Sequence, residues 1–207
     1  MTRHLKTCLE QPPSVSAGGS GKPPKTQEAL HLLVEGAYAR SYWLHLALTP
    51  AARFRDLDDF LRAIWLECCG HLSAFEIAGT QFTGSPSSES EFGERDMNEA
   101  LGIVLRPGMQ FTHEYDFGST TTLALKVVSE RDGEVKAKNA IRVLARNHPP
   151  PIPCSSCGQP ATKIIAEEAD DESGWLCDPC ASKCERDEGE FLPVVNSPRT
   201  GVCGYTG

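Results

Sequence analysis

Cys154-Ser-Ser-Cys157-Gly158 and Cys177-Asp-Pro-Cys180 are two CxxC pairs with 19 residues between them. That is the spacing of a four-cysteine zinc site. A CxxC turn offers two thiolates to one ion at a Zn–S distance of about 2.3 Å, and two such turns complete a tetrahedron. Gly158 fits the pattern, because the residue after a metal-binding turn often needs a left-handed backbone that glycine adopts at low cost. A redox dithiol of thioredoxin type would follow a strand in a βαβ setting, which the sequence lacks. Catalytic zinc usually keeps three protein ligands and one open position, whereas four matched cysteines leave none. The expected cofactor is therefore a structural Zn2+ on Cys154, Cys157, Cys177 and Cys180.

Other thiols and imidazoles lie outside this set. Cys184 follows Cys180 at a spacing that allows a ligand swap, and Cys203-Gly204 resembles half of a metal-binding turn. On spacing alone both also read as ordinary tail thiols. Cys69 and His71 stand where a helix is expected to end, and with Cys184 or Cys203 they could build a second metal site that ties two domains together. Cys68 falls on the helix's apolar stripe, where a thiol acts as a small hydrophobe. His113 and Glu114 flank a strand, and a solvated pair is the default. Asp116-Phe117-Gly118 matches the metal-binding triplet of protein kinases, but no glycine-rich phosphate loop, strand lysine or His-Arg-Asp loop accompanies it. Asp116 and Gly118 then shape a turn, with Tyr115 or Phe117 packing inward.

The elements that must position these groups follow from periodicity. Glu28–Val34 is apolar enough for a helical turn, and Tyr42–Leu48 alternates as a strand. Leu57, Phe60, Leu61, Ile64, Trp65 and Cys68 recur at helical spacing, with Asp56 or Asp58 as cap and Gly70 as stop. Leu72–Phe82 returns to a strand pattern, Gly84–Glu94 is an acidic loop, and Met97–Val104 a shorter helix. Arg106-Pro107-Gly108 turns the chain into strands at Gln110–Tyr115, Thr120–Glu130 and Ala140–Arg146. No βαβ rhythm repeats, so the expected class is α+β, with a mixed or antiparallel sheet, one main helix and a small zinc-ribbon-like module. Residues 1–26 form a Pro/Gly/Ser-rich arm, 27–148 the α+β domain, and 149–207 the cysteine module and tail, after a linker with four prolines in Asn147–Pro153. In the module, Thr162–Ala166 and Ser173–Cys177 pair around an acidic turn, and Leu192–Val195 docks on a neighbouring surface before a turn at Asn196-Ser197-Pro198.

The 207 residues are 40% hydrophobic and 23% charged, which excludes wholesale disorder. No apolar run approaches the ~18 residues of a membrane span and the first residues lack a signal-peptide block, so the expected place is the cytoplasm. The formal net charge is −8. It disfavours nucleic acid as partner, since phosphates are gripped by basic surfaces.

WLECCGHLSAF (Trp65–Phe75), HEYDFGSTTTL (His113–Leu123), the CxxC pairs and LPVVNSPRTGVCGYTG (Leu192–Gly207) resemble one branch of the plasmid pRiA4b Orf-three-like family. The likeness runs from Tyr42 to the C-terminus. Its motif residues here are His71-Leu72 and Tyr115-Asp116-Phe117-Gly118. Ser119, Thr120 and Thr121 depart from the Asp and aromatic residue that many members carry, and only Arg53 and Arg55 remain of a Trp-Arg-Arg element. The resemblance implies an α+β first domain and no established reaction. The leading expectation is a non-enzymatic module with a structural zinc and a protein partner. The alternatives are a nucleic-acid-associated zinc-ribbon protein linked to mobile elements, and an enzyme using His71, His113 and Asp116 with a second metal.

Overall fold

The structure, a computed structural model, describes residues 28–87, 93–132, 140–168 and 172–207. The expected N-terminal arm lies outside the described residues, and the acidic loop Gly84–Glu94 lies partly outside them. Eight strands form the main sheet: β1 (Glu28–Gly36), β2 (Trp43–Leu48), β3 (Ser73–Ile77), β4 (Thr80–Thr83), β5 (Glu94–Asp96), β6 (Gln110–Tyr115), β7 (Thr121–Asp132) and β8 (Ile141–Arg146). Their order is β5-β4-β3-β6-β7-β1-β2-β8, antiparallel except for the β4–β5 pair. The class is α+β, a large mixed sheet with few helices, as the sequence pattern indicates.

One sheet face carries the core. The register sets Leu30 opposite Leu48, Leu32 opposite Leu46 and Val34 opposite Leu44, and on the other side of β1 Val127 meets Leu32 and Leu125 meets Val34. All are buried. The expected helical turn at Glu28–Val34 is instead β1, because between β2 and β7 both of its edges are hydrogen-bonded and a strand satisfies every backbone group there.

Against this face lies α1 (Phe54–Leu61), continued by one π turn, Arg62–Leu66. Phe54, Leu57, Leu61 and Trp65 are fully buried beneath it, each worth roughly 1.5–3 kcal/mol of apolar burial. Asp56 caps this helix from within, since its carboxylate accepts the Arg53 backbone N–H at 2.8 Å and Arg53 takes the N-cap position. The helix closes before Gly70. Glu67 N–H reaches back to Arg62 O at 2.8 Å and the backbone turns extended at Glu67, so Cys68 stands beyond the last turn. The second helix, α2 (Leu101–Val104), is shorter than Met97–Val104 suggests.

The C-terminal module has a three-stranded sheet, β10 (Trp175–Leu176), β9 (Lys163–Ile165) and β11 (Phe191–Pro193), with the short helix α3 (Asp178–Ala181). Leu192 therefore pairs within the module, opposite Ile164. Beyond it the chain returns to the main domain. Ser197 Oγ donates to Trp65 O at 2.6 Å, and Asn196 and Asn147 join through their side-chain amides at 2.7 Å. Among the described residues, no helix is long and apolar enough to cross a membrane.

Candidate metal centre

Among the described residues, two groups of four side chains bring one ligand atom each to within 4.8 Å of one another: Cys154, Cys157, Cys177 and Cys180, and Cys68, Cys69, His71 and Cys203. Both could hold a metal ion.

In the first group two tight turns present the thiols. Gly158 N–H donates to Cys154 O at 2.8 Å, and Gly158 takes φ +73°, the left-handed backbone that its place after a CxxC requires. The second turn opens α3, where Cys177 is the N-cap and its carbonyl accepts from Cys180 N–H at 3.0 Å and Ala181 N–H at 2.9 Å. Ser155 N–H to Trp175 O, 2.8 Å, ties the two turns together. Cys157 and Cys177 Sγ stand 3.5 Å apart. A zinc tetrahedron with Zn–S of 2.3 Å has sulfur–sulfur edges of about 3.8 Å, so this donor set fits the ion. Cys154 and Cys177 are buried, Cys180 half-buried and Cys157 exposed. Backbone N–H donors, that of Cys177 foremost, pull the Cys154 thiol down to about 6, while hydrogen bonds with its neighbours, Cys157 first, push Cys180 up to about 12. One thiolate is thus favoured in advance, and the last ionises readily only beside a cation.

Cys184 belongs to neither group. It packs on the module core, its Sγ 3.5 Å from Cys180 O, and lines a depression of about 230 Å³ with Lys163, Arg186, Glu188 and Phe191. That is smaller than the ~300–1,000 Å³ of ordinary ligand clefts.

The second group is built by two connections. Cys68-Cys69-Gly70-His71 is the turn between the π turn and β3, and Tyr115 at the end of β6 organises it. The Tyr115 hydroxyl donates to Glu67 Oε1 at 3.0 Å and accepts from the backbone N–H of Cys68 (3.4 Å) and His71 (3.3 Å). Glu67 Oε1 also accepts Gly70 N–H at 2.6 Å. Cys203 arrives from the tail. Cys69 Sγ lies 3.4 Å from Cys68 Sγ, 2.9 Å from His71 Nε2 and 3.8 Å from Cys203 Sγ. Sharing a hydrogen bond with Cys68 raises the Cys69 thiol to about 12. Beside the group, Arg199 is fully buried and its guanidinium donates to Asp116 Oδ2 at 2.7 Å and to Cys68 Sγ at 3.5 Å. Arg199 also draws the Asp116 carboxyl below its usual range.

Of the residues the sequence offered for a second site, Cys69, His71 and Cys203 come together, Cys184 stands apart, and the fourth neighbour is Cys68, which the sequence read as a small hydrophobe on the helix stripe. It also missed Arg199 and the role of the Tyr115 hydroxyl. The adjacent cysteines in Cys68-Cys69-Gly70-His71 were the available signal; assigning Cys68 to the helix hid it. Around Asp116-Phe117-Gly118 the turn is real, since Gly118 N–H donates to Asp116 Oδ1 at 3.1 Å, but Asp116 rather than glycine takes the left-handed backbone, at φ +66°. Tyr115 packs inward and Phe117 stands 54% exposed. His71 Nε2 and Asp116 Oδ2 meet at 3.5 Å. His113 does not join them. It points into the core, where its Nε2 lies 2.7 Å from Asp58 Oδ1 with both side chains fully buried. His113 is thus buried rather than solvated, because β6 alternation puts it on the face that α1 covers, while its neighbour Glu114 is half-buried on the other face.

The fold and site define an α+β sheet protein with a small C-terminal cysteine module and two metal-competent clusters. No protein-family profile and no curated protein matches the chain. Among solved structures it is similar to the crystal structure of a protein of unknown function, MM3350 from Methanosarcina mazei Go1, at 14% identity and a TM-score of 0.48 over 58% of this chain and 69% of that one.

Proposed function

We propose that the chain is a cytoplasmic zinc protein of the plasmid pRiA4b Orf-three-like family that works as a non-enzymatic protein-binding module, with one structural Zn2+ on Cys154, Cys157, Cys177 and Cys180. The observation that carries the zinc reading is the convergence of these four sulfurs from two tight turns. They leave no coordination position for a substrate. Among the described residues, the module's buried cluster is small: Cys154, Ile165, Leu176, Cys177 and Ala181. A core of that size needs an ion to hold it, and bound zinc supplies folding free energy on the order of 10 kcal/mol.

Support for a protein partner comes from the same motifs that carry the family resemblance. Tyr115 and Asp116 are buried, while Leu72 is 74% and Phe117 54% exposed. Their backbones are joined through Asp116 N–H to Leu72 O at 2.9 Å. Apolar side chains held outward on a fixed turn are the kind of anchor that protein interfaces use. The charge of −8 disfavours nucleic-acid phosphates. Separation of His113 from His71 and Asp116 weighs against an enzyme built on all three. The test is elemental mass spectrometry of untagged protein together with a photocrosslinking amino acid at position 117 in cells. Zinc bound to the module and a discrete protein adduct are expected. A metal-free chain overturns the zinc reading, and adducts to nucleic acid alone overturn the partner class.

A further inference from the structure

We propose that Cys68, Cys69, His71 and Cys203 form a second site for a thiophilic divalent ion of the zinc class, and that this ion latches the C-terminal tail onto the main domain. The inference stands apart from the module's zinc, with which it shares no ligand.

The donor set fits a tetrahedral ion. Three sulfurs and one imidazole are the ligands of a Cys3His site, whose sulfur–sulfur edges are about 3.8 Å. Here Cys69–Cys203 is 3.8 Å, Cys68–Cys69 is 3.4 Å and His71 Nε2–Cys203 Sγ is 3.3 Å. Soft thiolates with one imidazole select zinc-like ions over magnesium or calcium, which take oxygen ligands.

The surroundings supply what such a site needs beyond its ligands. Three thiolates on a divalent ion leave one net negative charge. Arg199, fully buried, directs one N–H at Cys68 Sγ and another at Asp116. Its remaining hydrogen bonds, to Ser119 O at 3.0 Å and Thr121 Oγ1 at 2.9 Å, fix the guanidinium against β7. Outer partners that orient ligands and balance charge are part of a metal site's design.

The tail's own backbone is shaped to deliver Cys203. Gly201, Cys203 and Gly204 take φ of +83°, +50° and +68°. Glycine does this freely, but Cys203 does not, and a non-glycine residue holds such a conformation only when its surroundings impose it. Coordination of its sulfur would impose it. Because His71 and Cys203 are 132 positions apart, the ion closes a long loop, the arrangement in which a cross-link restricts the unfolded chain most.

The test uses the full, untagged chain purified in reducing buffer with Zn2+. Expected are two zinc ions per chain, one in Cys203→Ser and two in Cys184→Ser. Cobalt substitution of the His71→Cys variant should still load two ions, with the second site's absorption shifted toward that of four sulfurs. Amide exchange over residues 195–205 should rise at least tenfold in Cys203→Ser while 154–180 is unchanged. One ion per chain that persists in Cys203→Ser overturns the proposal, as does a Cys69–Cys203 disulfide in place of the second ion. One ion lost in Cys203→Ser but kept in Cys177→Ser supports this site and overturns the module's zinc instead.

Discussion

The two cysteine clusters use one chemistry at opposite sequence distances. In the module every ligand falls within residues 154–180, each pair on its own tight turn. In the other, three ligands share a single turn and the fourth comes from 132 positions beyond His71. The module's strands are two or three residues long. The turn that carries Cys68, Cys69 and His71 is held by Tyr115, Glu67 and a sheet with its own continuous core. An ion at the local cluster would make a fold, whereas one at the remote cluster would fasten parts already folded. The module buries two of its thiols, Cys154 and Cys177, and exposes Cys157, whereas in the other cluster Cys69 and Cys203 both face solvent and Cys68 is half-buried.

The largest effect is expected from acid, which would remove at once the ions proposed for the two clusters. Thiolate ligands must be deprotonated, so lowering the pH releases metal from each cluster. The sheet holds longer. Burial alone would raise the Asp58 carboxyl, but the hydrogen bond and charge of His113, with help from Ser73 and Arg62, bring it below its usual value. A carboxyl depressed in the folded state contributes stability above its unfolded pKa of about 3.9, and that contribution is lost as pH falls through the folded value. Acid titration followed by metal release and circular dichroism should show two steps, ions and module first and the sheet only below about pH 4. A single transition would mean that the sheet also depends on the ions.

Cys177→Ser should come next in size. It removes one ligand of the module and with it most of a folding contribution on the order of 10 kcal/mol, so residues 154–193 should lose amide protection while β1 to β8 keep theirs. Cys203→Ser should do less. Releasing one end of a long-range cross-link costs about 2–4 kcal/mol by analogy with disulfides, and the expected change is a lower unfolding midpoint with the module still folded. If Cys203→Ser unfolds the module, the division between local and remote clusters fails.

Legibility in the sequence followed the same line. The CxxC pairs could be read because their geometry is nearly all local, and β6 because its alternation reports a buried face directly. β1 was missed since its backbone pairs on both edges, with β2 and β7, which only those neighbours reveal. The second cluster was half legible. Cys69, His71 and Cys203 carried a recognisable chemistry, but Cys68 sat on a helical stripe that one π turn breaks off at Leu66. Arg199 gave no signal of its own, for a buried guanidinium is explained by Asp116 and Cys68, which lie 83 and 131 positions away.

The smallest effect is the sharpest test of how the second cluster is built. Tyr115→Phe keeps the ring, which is fully buried and stacks edge-on to His71 with centroids 5.7 Å apart. It deletes only the hydroxyl. Glu67 loses one donor, and the backbone N–H groups of Cys68 and His71 lose their acceptor, at about 1 kcal/mol for the Glu67 bond and less for each of the two longer ones. Global stability should fall by about 1–2 kcal/mol. Affinity at the second cluster should fall about 10–100-fold, the usual effect of removing an outer partner, because the turn must then be ordered by the ion itself. Competition with a zinc-chelating dye reads this directly, and the module's ion serves as internal reference. An equal loss at both clusters would show that Tyr115 acts through the stability of the whole chain. A loss confined to the second would place its hydroxyl as a positioning group for the Cys68–His71 turn.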